Sequence, residues 1–166
     1  MRLRYNLDNN SRMFSKLKQS ALAGEHMTEL DQGSLQYFSA HACDPQWRGF
    51  LGALAAELNA QMPPEELRPF YYVVGKRMAD QSPLQPGDSL NELEGKLNAV
   101  FSGMQWGWCK VRDLGSSLEF AHSCAPLRAA FGDASMEWCG ALLEGMYATW
   151  LRQLGASADL QLRQVG

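Results

Sequence analysis

Few side chains in this 166-residue sequence have the spacing that catalysis or metal binding requires. The four cysteines, Cys43, Cys109, Cys124 and Cys139, form no C-x-x-C pair. Only His122-x-Cys124 approaches the close ligand spacing that zinc favours, so no metal site is expected. The thiols are read as free and buried, as in a reducing compartment. His26, His41 and His122 have no evident nucleophile partner along the chain, and G-x-S-x-G and H-E-x-x-H are absent from the sequence. The glycines of Gly103-Met104-Gln105-Trp106-Gly107-Trp108 lead into a strand rather than a helix, the wrong order for cradling phosphate. Glycoside chemistry needs two acids at a set separation. Glu65 and Glu66 diverge on a helix, while Asp88, Glu92 and Glu94 read as caps and solvated face. Glu144 stands out as a carboxylate among apolar residues, and is read as an ion-pair or hydrogen-bond partner in preference to a catalytic acid. No catalytic residue, cofactor-binding residue or cofactor is expected, and the chain is read as a non-enzyme.

The aromatic residues offer different chemistry. Trp47, Trp106, Trp108, Trp138 and Trp150 could stack on sugar faces, but large rings at helical or strand spacing more often fill cores and interfaces. Trp106 and Trp108 fall on one face of a strand and act together in either role.

The elements that position these residues follow from periodicity. Asp44-Pro45 is an N-cap followed by Pro at the first helical position. Trp47, Phe50, Leu51, Leu54, Ala55 and Leu58 then recur at helical spacing to about Gln61. A second helix opens at Pro63 or Pro64, with Pro69 able to kink it or delay its start. A third follows the capping-box pair Ser89 and Glu92 and closes at Gly103. Trp106–Arg112 and Ser117–His122 alternate as a β-hairpin around Asp113-Leu114-Gly115-Ser116. Residues 135–154 form the longest apolar-faced helix, with Gly145 marking a close backbone approach. Ala158–Val165 alternates again as a closing strand. The order predicts an α+β fold: three N-terminal helices, a hairpin, a long helix and a closing strand, with helices on a small, mainly antiparallel sheet. A strand from residues 34–40, a helix or another subunit would cover its edges.

Composition sets the class. The chain is 46% hydrophobic and 20% charged, enough for one core, with no apolar run long enough to insert in a membrane. Its net charge of −3 is uneven, because residues 1–26 carry five Lys/Arg against two acids. The remainder carries ten against sixteen, so the body is acidic and nucleic-acid binding is not expected. Residues 1–26 are expected to be a basic arm, disordered or left by a cloning junction at His26-Met27, and residues 27–166 a single domain. The start lacks the apolar run of a secretory signal, so a cytoplasmic protein is expected.

The chain resembles the D subunit of bacterial cellulose synthase over about residues 44–165, most clearly in its C-terminal half. The resemblance rests on Leu93…Leu97-Asn98-Ala99, Trp106-Gly107, Leu118, Pro126 and above all Trp138…Leu143-Glu144-Gly145-Met146-Tyr147…Trp150, with Arg163 in the closing strand. It implies a non-catalytic accessory subunit that builds an octamer from dimers, works beside the inner-membrane cellulose synthase complex, and promotes export and crystalline packing of glucan chains. A proline-rich operon partner, the glucan chain itself and larger assemblies are further implied partners. Trp106, Trp108, Trp138, Glu144, Gly145, Tyr147 and Trp150 are the structural or interface candidates. Glucan-binding residues do not carry over from the family. A small-molecule-binding or sensor domain with a pocket between hairpin and long helix is the alternative, and a glycan-acting enzyme using Glu144 is a third.

Overall fold

The computed structural model describes residues 1–6, 37, 41–157 and 162–165. Strand β1 (Arg2–Asn6) opens the chain, followed by α1 (Pro45–Gln61), α2 (Pro64–Gln81) and α3 (Leu90–Gly103). The hairpin strands β2 (Trp108–Asp113) and β3 (Ser117–Ser123) come next. Then come α4 (Leu127–Phe131), a 3-10 turn (Asp133–Ser135), α5 (Met136–Cys139), α6 (Ala141–Gln153) and β4 (Leu162–Gln164). The α+β class, the three helices before the hairpin and the closing strand match the expected order.

Local chemistry starts the helices. The Asp44 carboxylate accepts from Gln46 N at 3.1 Å at the head of α1. Ser89 Oγ accepts from Glu92 N at 3.1 Å, and Glu92 reaches back to Asp88 N at 2.9 Å, a capping box displaced by one residue. Helix α2 starts at Pro64 and runs on through Pro69, so the start is not delayed.

Three elements depart from the expected plan. The segment read as one helix over residues 135–154 is divided into a 3-10 turn, α5 and α6. Its break falls at Gly140, where a side chain would crowd Gln164 and Met1. The short helix α4 fills the loop after Pro126. The third departure is the sheet, whose strand order is β2-β3-β1-β4, antiparallel throughout.

An inner strand of this sheet therefore comes from residues expected to be a disordered or vector-derived arm. The reason is alternation: Leu3 and Tyr5 point into the core and are almost fully buried, while Arg2 and Arg4 point out. Met1 extends the pairing, with its amine donating to the His122 carbonyl at 2.9 Å and its own carbonyl accepting from His122 N at 2.8 Å. The rest of that arm and the strand expected from residues 34–40 lie outside the described residues, except Tyr37, which is helical.

Side chains from α3 close the β2 edge. Asn98 Oδ1 accepts from Cys109 N at 2.7 Å, its amide donates to Cys109 O at 3.0 Å, and Glu94 accepts from Val111 N at 2.8 Å. These bonds satisfy main-chain groups that would otherwise recruit another strand.

Candidate functional site

Of the candidates named from the sequence, Glu144, Gly145, Tyr147 and Trp150 lie on α6 where it meets α2 and the sheet, Trp138 lies on α5, and Trp106 and Trp108 lie at the start of the hairpin. Helices α2 and α6 meet backbone to backbone. A Cβ at Gly145 would overlap the Tyr72 carbonyl, and one at Gly75 would overlap the Leu142 carbonyl. Two glycines facing opposite partners thus set the crossing, confirming the close approach read at Gly145.

Polar groups lock this crossing. Arg68 donates from Nη2 to both oxygens of Glu144 at 2.8 Å and from Nη1 to the Glu137 carbonyl at 2.8 Å. Trp150 Nε1 donates to Ser82 O at 2.9 Å and Ala79 O at 3.3 Å, satisfying carbonyls at the end of α2. Trp138 Nε1 donates to Asn59 Oδ1 at 2.6 Å, tying α1 to α5, and Asn59 donates onward to Ser135 Oγ at 3.1 Å. Trp138, Tyr147 and Trp150 are fully buried inside the subunit. Their surroundings make them core residues, out of reach of a neighbouring copy.

Tyr147 belongs to a chain of hydrogen bonds beneath the sheet. The Trp106 carbonyl can only accept, so His122 Nε2 carries the proton and donates to it at 2.7 Å. His122 Nδ1 is left to accept from the Tyr147 hydroxyl at 2.8 Å. Burial pushes the His122 pKa down to about 4, with the hydrogen bond to Trp106 opposing. Burial likewise pushes the Cys109 thiol up to about 12 and Cys139 up to about 11. These are neutral, inert thiols at pH 7, unlike the acidified thiols of nucleophilic sites.

The hairpin packs on α6 through the rings of Phe120 and Tyr147, 5.2 Å between centroids, where a ligand pocket was the alternative expectation. A recess of about 420 Å³ lies elsewhere, lined by Arg68, Glu144, Leu162 and Gln164. Its two charged walls already satisfy each other.

What faces solvent is more informative. Trp47 and Phe50 are 56% and 59% exposed, with their rings edge to face at 6.2 Å, and Leu54 continues the same helical stripe. Helix α1 buries only Ala55 fully, so its aromatic face is unpartnered among the described residues. On α2, Phe70 and Val73 are also exposed, 57% and 48%. Of the named tryptophans, Trp106 is half-buried and Trp108 is 41% exposed. In the sequence Trp47, Phe50 and Leu54 read only as part of one stripe at helical spacing, because periodicity reports a stripe without reporting what covers it.

A family model of the cellulose synthase D subunit matches residues 33–166. The chain belongs to this family. Cellulose synthase operon protein D of Komagataeibacter xylinus is 31% identical over 120 residues, covering 69% of this chain and 76% of the relative. The protein of the same name from Komagataeibacter sucrofermentans is 28% identical over 118 residues, again covering 69% and 76%. Membership ties the chain to cellulose synthesis. The family match includes α1, α2 and α6 and begins downstream of β1.

Proposed function

We propose that this protein is a non-catalytic, self-associating accessory subunit of bacterial cellulose synthesis. It acts in the cytoplasm beside the inner-membrane synthase complex, where dimers assemble into an octamer that organises export and crystalline packing of glucan chains. Family membership supports the place in cellulose synthesis. Self-association is carried by one observation, the stripe of Trp47, Phe50 and Leu54 standing in solvent on a long helix. Clusters of exposed aromatic residues mark protein interfaces, because burying them between copies removes large apolar areas from water.

In this assembly the α2–α6 wall is the rigid base, and the exposed faces of α1 and α2 are the contact surfaces. Multi-angle light scattering of the full chain at micromolar concentration tests the reading. The expected mass is a multiple of the dimer; a stable monomer would refute it.

A further inference from the structure

The outer face of the sheet carries a patch of opposite character. Because Leu3, Tyr5, Cys109, Leu118 and Phe120 point inward, Arg2, Arg4, Trp108, Lys110 and Arg112 point outward. The register sets them in rows. Arg112, Glu119 and Arg4 lie side by side across β2, β3 and β1, and Lys110, Ala121 and Arg2 form the next row. Trp108 begins the row beyond, opposite Ser123.

Among the described side chains, four cations are thus gathered on one face of a chain whose net charge is −3. Glu119, embedded between the two guanidiniums, lies 3.5 Å from Arg4 and 3.4 Å from Arg112, yet both arginine side chains remain about half exposed. Lys110 meets Glu94 at 3.0 Å from the rim and is still two-thirds exposed. Each guanidinium has five N–H donors, so among the described residues of this face donors outnumber acceptors. The face already seats one carboxylate, that of Glu119, between two arginines. Successive rows repeat every second residue, about 7 Å apart, which is also the side-chain repeat of an extended peptide.

We propose that the outer face of the sheet binds an extended acidic peptide segment of a partner protein. Its carboxylates sit on Arg2, Arg4, Lys110 and Arg112, and an apolar side chain sits on the exposed ring of Trp108. Arginine favours such pairing because its planar fork matches a carboxylate. The inference stands apart from self-association through α1.

Fluorescence anisotropy of a labelled (Glu-Gly)6 peptide with the full chain tests it. Saturable binding at low salt is expected, weakened about tenfold in 0.5 M NaCl, where the Debye length is only a few Å. An Arg2→Gln/Arg4→Gln/Arg112→Gln/Glu119→Gln variant removes three cations together with the carboxylate that Arg4 and Arg112 flank, leaving no stranded buried charge. It should bind about tenfold more weakly. Arg2→Glu alone, which breaks no ion pair among the described residues, should weaken binding about threefold and serves if the quadruple variant does not fold. Lys76→Gln/Arg77→Gln, an exposed basic pair on α2, should leave affinity unchanged. Absence of saturable binding, equal affinity in the sheet-face variants, or an equal loss in the α2 control would overturn the proposal. So would binding to phosphatidylglycerol vesicles but not to the peptide.

Discussion

His122 shows how one buried residue makes stability depend on pH. Its ring is neutral in the fold and bonded at both nitrogens, and its pKa is depressed from 6.5 to about 4. The unfolded chain therefore takes up this proton first as pH falls. The stabilisation is complete above about pH 6.5 and is lost between there and pH 4, on the order of 3 kcal/mol in all. Urea unfolding from pH 7 to 4 should show a steeper loss in the native protein than in His122→Gln. Coinciding acid limbs would reject this account. Arg68 and Glu144 make a second case. Arg68→Ala should cost about 2 kcal/mol, because the nearly buried Glu144 carboxylate loses its bidentate partner. Arg68→Met/Glu144→Leu should recover most of that loss in the same denaturation assay, which a catalytic carboxylate would not predict for activity.

At the scale of elements, two helical glycines with similar sequence contexts should behave oppositely. Gly145→Ala drives a methyl into the Tyr72 carbonyl of α2 and should cost about 3 kcal/mol. Gly95→Ala, in α3 where nothing stands within 4 Å, should stabilise by about 0.5–1 kcal/mol. Thermal melts of the two variants should move in opposite directions; parallel shifts would contradict the packing described. The caps at Asp44 and Ser89 were legible because they bond to residues two and three positions away. The break at Gly140 was not, and the neighbours packed on that glycine, Met1 and Gln164, are distant in sequence. Strand β1 is the instructive omission: Arg-Leu-Arg-Tyr alternates as a strand should, but its charge drew the reading toward a solvated arm.

For the molecule as a whole, the decisive contrast lies between surfaces. One is apolar and helical, on α1 and α2, and the other is cationic and on the sheet. Trp47→Ser/Phe50→Ser should lower the mass seen by light scattering while leaving the subunit's melting temperature nearly unchanged, since both rings are already in solvent within one subunit. Unchanged mass would move the self-contact elsewhere. A large loss of melting temperature would show that the rings support the fold rather than the assembly. Trp138 and Trp150 predict the reverse ordering, because each is buried and hydrogen-bonded within its own subunit.

Local periodicity, capping and residue identity suffice for the starts of α1, α2 and α3, the hairpin, the α+β class and the resemblance carried by Glu144-Gly145-Met146-Tyr147. Which apolar stripes are covered is settled by folding. Trp47 and Trp138 both lie at helical spacing, yet one stands in solvent and the other is sealed against Tyr71 and Asn59. Folding also makes the first residues complete the sheet and brings outward cations from β1 and β2 onto one face. Those outcomes depend on contacts between segments more than a hundred residues apart, and a one-dimensional pattern does not encode which distant surface removes a side chain from water.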